Sequence, residues 1–275
     1  MSIQETASGI QVEDVEYLHH ASGPLLARMY RPKDRPHAAL VSLHGGRWTR
    51  ESRLTNAVID EALARDGALV MALDIRMPPV ARYPNCVADV NFAIRWLKQH
   101  AREHGVPADC VGGIGTSSGG HQIMLSAMRP RDPRYAAIPL EGDASLAFAI
   151  ACWPVLDPLA RYEMAKAKGM KDHADAHDAY WTSLDAQAEG NPQMILDRGE
   201  RAELPPALLI QGTADTILPD GMADKFAAAY RKAGGHIDLR KFDGQPHTFI
   251  TKDPGAEASI AALGQIKAFV RAMAT

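Results

Sequence analysis

From about residue 38 onward, short runs of β-forming residues take turns with helical patterns, and each run is apolar throughout rather than alternating. Strands of that kind are covered on both faces, and the alternation calls for a mostly parallel sheet with crossover helices. The expected strands are AALVSL (38–43), ALVMAL (68–73), CVGGI (110–114), AFAIAC (147–152) and ALLI (207–210), with IDLRKF further on. Two earlier segments, VEDVEYLHH and PLLARMYRP, read as a hairpin at one sheet edge around Ser22-Gly23-Pro24. In YPNCVADVNFAIRWLKQHAREHG the residues Val87, Val90, Ile94, Leu97 and Ala101 fall on one helical face, and Gly105 with Pro107 supplies the stop. HQIMLSAM, GMADKFAAAYRKAGG and EASIAALGQIKAFVRAM complete the helices.

With 275 residues the chain can bury one large core, so the expectation is a single α/β domain over 1–275. One stretch breaks the alternation: about 157–204 is polar, helix-favouring and interrupted by Gly169, Gly190, Pro192 and Gly199, and reads as an inserted helical cap. A net charge of −3 with 23% charged residues makes no electrostatic case for nucleic acid or an anionic membrane, which leaves a small molecule as the expected partner; a homodimer is allowed. The opening MSIQETASGI lacks the basic-then-apolar pattern of a leader, and no run approaches membrane-spanning length, so a cytoplasmic location is the expectation. Cys86, Cys110 and Cys152, odd in number and widely spaced, read as reduced core thiols.

The chemistry concentrates after strand 110–114. Gly115-Thr116-Ser117-Ser118-Gly119 matches G-x-S-x-G between a buried strand and a helix, a turn sharp enough to force the central serine into strained backbone geometry. Its Oγ then stands at a helix N-terminus, where the dipole favours developing negative charge. A phosphate-binding loop needs Lys where this chain has His121 after Gly120, and Gly113-Ile-Gly115-Thr-Ser-Ser breaks a dinucleotide fingerprint.

Serine is a poor nucleophile at neutral pH, so a base must take its proton and a carboxylate must orient the base. Asp215, just past strand 207–210, and His247, in a loop after IDLRKF, follow Ser117 in the order acid, then histidine, and both fall at the C-terminal sheet edge. Three rivals stand beside them: Asp243 as orienting acid, Ser118 as nucleophile and His121 as base. Upstream, strand 38–43 runs into His44-Gly45-Gly46-Arg47-Trp48, where Gly45 and Gly46 let backbone N–H groups approach an oxyanion, with the Ser118 N–H as the further donor.

Together HGG (44–46), GTSSGG (115–120), GTAD (212–215), PH (246–247) and the segment DIRMPPVARYPNCVADVNFAIRWL resemble the hormone-sensitive-lipase-like esterases of the α/β-hydrolase superfamily. That resemblance covers most of the chain from about residue 38. It implies the α/β-hydrolase fold and hydrolysis of a carboxylic ester through an acyl-enzyme, with neither metal nor cofactor. Two positions depart from the family pattern: Arg47 stands where a third glycine is usual, and Ser118 where alanine is usual. HGG followed by any residue and Trp48 also looks like the motif of kynurenine formamidases, which keeps an amidase, formamidase or carbon–carbon hydrolase open as the alternative.

For the substrate pocket the candidates are Arg47, Trp48 and Trp153, with Trp181 as a further aromatic wall. Arg47 reads either as a cation that selects a carboxylate-bearing substrate or as a surface arginine bonded to the cap, the second being favoured. His173 and His177, four apart with aspartates nearby, have metal-ligand spacing, but there is no H-E-x-x-H and no obvious third ligand. They read as part of a solvated cap helix.

Overall fold

The computed structural model describes residues 4–5 and 9–274. Residues 1–3 and 6–8, part of the opening read above for a leader, lie outside it. Within the described residues the strands are β1 (Gln4–Glu5), β2 (Gln11–His20), β3 (Gly23–Arg31), β4 (Ala38–Leu43), β5 (Ala68–Leu73), β6 (Val111–Thr116), β7 (Ala149–Cys152), β8 (Ala207–Gly212) and β9 (Ile237–Phe242). They form one sheet in the order β1-β2-β3-β5-β4-β6-β7-β8-β9. β4 to β9 are mutually parallel, and the β2–β3 hairpin adds antiparallel to β5, forming with β1 the edge.

This is the α/β-hydrolase fold anticipated above. Every residue of β4, β5 and β6 is buried, as uniformly apolar strands demand. The helices that cover them include α1 (Ala57–Arg65), α2 (Asn85–Ala101), α3 (Ser118–Met128), α8 (Met222–Lys232), α9 (Phe249–Lys252) and α10 (Glu257–Met273). No described helix is long and apolar enough to cross a membrane.

Between β7 and β8 lie α4 (Pro158–Ala167), α5 (Lys171–Tyr180), α6 (Leu184–Glu189) and α7 (Pro192–Asp197). Local capping explains why so polar a stretch is helical. Asp157, Ser183 and Asn191 each accept a hydrogen bond from the third residue onward, and proline occupies the first turn of α4 and α7. Aromatic packing and ion pairs dock the four helices: Tyr180 stacks on Trp48 at 5.1 Å, and Glu189 takes Arg129 and Arg134.

The topology also dictates where a ligand can sit. The chain leaves β4 for β5 on one side and then returns to β6 on the other, so the connections at the C-terminal end of β4 part in opposite directions and open a crevice there. The loops after β4 and β6 face each other across it.

Helix α1 was not anticipated, and the reason is chemical. Its inward face carries Asp60, fully buried, whose carboxyl oxygens find no hydrogen-bond partner. Burial, opposed by the nearby Ser42 hydroxyl, pushes its pKa to about 8. Folded protein thus keeps a proton that the unfolded chain releases at ordinary carboxylate pH, and stability is expected to fall as pH rises from about 4 to about 8, by on the order of several kcal/mol. Asp60→Asn should flatten that decline and raise the urea midpoint at alkaline pH. An unchanged pH profile in the variant would remove Asp60 as its cause.

Candidate active site

Strand β6 ends at Thr116 and helix α3 begins at Ser118, which leaves Ser117 alone at the turn with φ 51° and ψ −116°. A residue with a side chain pays conformational strain there, on the order of 1–3 kcal/mol. Hydrogen bonds hold it in place: the Ser117 N–H donates to the Cys152 carbonyl (2.9 Å), and the Ser117 carbonyl accepts from His121 (3.1 Å) and Val155 (3.2 Å). The flanking glycines are required by close approach. A Cβ at Gly119 would lie 2.3 Å from the carbonyl oxygens of Leu43 and His44, and one at Gly115 would meet the Gly119 backbone at 2.5 Å.

The expected partners converge on that serine. His247 Nε2 lies 3.0 Å from Ser117 Oγ, and His247 Nδ1 lies 2.7 Å from Asp215 Oδ2. With Nδ1–H donating to the carboxylate, Nε2 is free to accept the serine proton. Asp215, only 8% exposed, also accepts from the Ile217 N–H (2.9 Å) and the Gln211 amide (3.0 Å). Burial would raise its pKa, but the hydrogen bond and charge of His247, with those other donors, hold it below the usual carboxylate value.

The rivals fall elsewhere. Asp243 accepts from Thr213 Oγ1 at 3.0 Å rather than from the histidine. His121 is fully buried and engaged on both ring nitrogens, by Trp48 Nε1–H (3.1 Å) and the Gly190 carbonyl (2.8 Å), and burial brings its pKa down to about 4. Ser118 points away from the crevice, where its Oγ accepts the Trp48 N–H at 3.1 Å.

That bond accounts for the two departures in the sequence together. Arg47 and Trp48 both have positive φ, 57° and 62°, in a loop where glycine is the easy choice. Ser118 grips the Trp48 backbone, and His121 grips its indole, so the loop is pinned to the first turns of α3. Trp48 is therefore not a pocket wall: it is 1% exposed and packs among His121, His177, Tyr180 and Trp181. Trp181 belongs to the same buried cluster. Aromatic residues beside a glycine turn suit a pocket and a core equally well in sequence, and here the helices of 158–197 supply the partners that make it core.

The crevice has a volume of about 440 Å³, within the range of small-molecule sites. Gly45, Gly46, Arg47, Ser117, Trp153 and His247 all line it. Gly45 crosses directly over the serine, since a Cβ there would be 3.2 Å from Ser117 Cβ. Ser118, first residue of α3, carries an N–H with no intrahelical acceptor. Trp153 sets its ring edge-on to His247, centroids 6.2 Å apart. Arg47 lines the crevice, and its Nη1 lies 3.4 Å from His173 Nε2 on α5.

His173 and His177 part company. His173 lines the crevice, where burial and the charge of Arg161 bring its pKa down to about 4. His177 sits in the aromatic cluster with Nδ1 accepting from Gln187. Three further residues escaped sequence reasoning. Asn56 ties the ends of β4 and β6 together, donating to the Leu43 carbonyl (3.1 Å) and accepting from Thr116 Oγ1 (3.0 Å). His173 carried a spacing that read as metal ligation or, in preference, as part of a solvated cap helix, and neither pointed to the crevice. Arg161 lines the crevice yet is 1% exposed. No signal in the sequence marks it, because a lone arginine in a polar helical stretch reads as surface.

The arrangement is one that can carry out acyl transfer. The α/β hydrolase fold family matches residues 40–251. Esterase LipC of Mycobacterium tuberculosis is 26% identical over 88% of this chain, and the probable carboxylic ester hydrolase LipM of the same organism is 27% identical over 86%. The chain spans 62% of LipC and 52% of LipM. Among solved structures, the thermophilic esterase Est2 of Thermogutta terrifontis with propionate bound is 28% identical at a TM-score of 0.76, covering 94% of this chain and 93% of that one. The same esterase phosphorylated by paraoxon superposes at 0.74.

Ser118→Ala, which installs the alanine of the family pattern the sequence resembles, should free the Trp48 N–H and loosen the loop carrying Gly45 and Gly46. The expected cost is on the order of 1 kcal/mol of stability in urea unfolding, with a several-fold lower turnover of acyl substrates. Wild-type turnover and stability in the variant would show that the bond does not hold the loop.

Proposed function

This chain belongs to the α/β-hydrolase fold family, and we propose that it is a carboxylesterase of the hormone-sensitive-lipase-like group that cleaves small esters through an acyl-enzyme on Ser117. The observation that carries the reading is the unbroken chain from Asp215 through His247 to Ser117 Oγ at the floor of the crevice.

In this mechanism His247 takes the Ser117 proton as Oγ attacks the ester carbonyl. The tetrahedral oxyanion is held by backbone N–H groups of Gly45, Gly46 and Ser118, at the positive end of α3. His247 then protonates the departing alkoxide, the acyl-enzyme forms, and a water activated by the same histidine releases the acid. Asp215 keeps the imidazole oriented and stabilises its charged form. Helices α4 to α7 act as a cap, since Arg161, Asp172 and His173 from α4 and α5 line the crevice. Three free thiols suit a reducing compartment, and we read the protein as cytoplasmic. Amide, formamide and carbon–carbon cleavage recede, because the relatives named above are esterases.

A panel of p-nitrophenyl esters of graded acyl length, run beside formanilide, tests the reading. Wild type should hydrolyse short esters, and Ser117→Ala should lose on the order of 10⁴-fold or more in kcat. Undiminished ester turnover by Ser117→Ala, or formanilide cleavage with negligible ester hydrolysis by wild type, would overturn it.

A further inference from the structure

Arg161 sits in the first turn of α4 and lines the crevice, yet its side chain is almost wholly buried, at 1% exposure. Among the described residues its guanidinium has no hydrogen-bond acceptor and no carboxylate within salt-bridge distance, and Nε and Nη1 are both buried without a partner. The carboxylate whose charge acts on it is Asp215, whose oxygens are already occupied by His247, Gln211 and Ile217. Asp157, four residues earlier, caps α4 and binds Asn191 instead. A buried cation left in this state is costly, and an unsatisfied one in a native fold calls for a reason.

The rest of the crevice leans the same way. Arg47, Arg50 and Lys252 line it without an ion pair, against Glu51 and Asp172 as the acids. Elsewhere the partly buried arginines named next have partners: Arg28 and Arg53 pair with Asp14, Arg76 with Asp89 and Arg129 with Glu189, while the buried Arg95 donates to the Leu140 and Ile138 carbonyls. Of the two arginines buried outright among the described residues, Arg95 and Arg161, only Arg161 is left without an acceptor, and it lines the crevice. Guanidinium presents parallel N–H donors that match a carboxylate, and a desolvated site strengthens that pairing.

We propose that the site selects esters that carry a carboxylate, such as the half-ester of a dicarboxylic acid, and that Arg161 binds that carboxylate while Ser117 attacks the ester carbonyl. This rests on the esterase reading above and names the substrate class for it. Arg161 supplies the missing half of an ion pair that the substrate completes, and Arg47, Arg50 and Lys252 steer the anion inward.

The test compares monoethyl glutarate (carboxylate on the acyl side), O-acetylglycolate (carboxylate on the alcohol side) and neutral ethyl valerate, using wild type, Arg161→Met and Arg161→Lys. Wild type should favour at least one anionic ester. The anionic-to-neutral ratio of kcat/KM should fall about tenfold or more in Arg161→Met, mainly through KM, and recover partly in Arg161→Lys. Preference of wild type for ethyl valerate over both anionic esters, or an unchanged ratio in Arg161→Met, would overturn the proposal while leaving Ser117-dependent cleavage of ethyl valerate intact. Should no ester be cleaved, calorimetric titration of Ser117→Ala with monoethyl glutarate decides it: binding that Arg161→Met abolishes supports the assignment, and absence of binding contradicts it.

Discussion

Helix α3 can start where it does only because two backbones touch. At Gly119 the helix lies so close to the end of β4 that the carbonyls of Leu43 and His44 occupy the space a Cβ would need. That contact brings the loop after β4 over the turn after β6, sets Gly45 across Ser117, and aims the helix N-terminus at the same point. The strained backbone of Ser117 survives because the sheet fixes both of its sides: its N–H bonds to the end of β7, and its carbonyl accepts from α3 and from the chain leaving β7. His247 and Asp215 arrive from β9 and β8, the last two strands of the parallel run, so the triad is assembled by strand order rather than by sequence proximity.

Much of this was legible in the sequence for physical reasons. Strands buried on both faces have to be apolar throughout, which gave β4 and β5 their full lengths. β6 runs two residues beyond its expected end, because Gly115 and Thr116 extend the ladder although glycine is a poor strand former. The triad was readable because reactive side chains at strand ends come in a fixed order. Helix α1 was not readable, since Asp60 interrupts its apolar face, and Trp48 was misplaced because its partners lie 70 or more positions away. Arg161 shows the limit most clearly. Its burial depends on how α4 packs with α5 and α6 beside the crevice, and nothing local encodes that.

Ser118 and Arg161 illustrate two uses of a polar group in the same crevice. Ser118 is satisfied within the protein, where its hydroxyl replaces the flexibility of a third glycine by a fixed hydrogen bond to Trp48. Arg161 is left unsatisfied by the protein and is therefore available to a ligand. Stability favours the first arrangement everywhere and tolerates the second only where function compensates for it.

That Ser117 is the group that attacks the substrate can be tested without knowing the natural ester. Treatment with a dialkyl phosphoryl ester such as paraoxon, followed by peptide mass spectrometry, reads the nucleophile directly. One phosphoryl group per chain on the peptide containing Ser117, with parallel loss of ester hydrolysis and no labelling of Ser117→Ala, is the expected result. Label on another residue, or full inactivation with Ser117 unmodified, would contradict it.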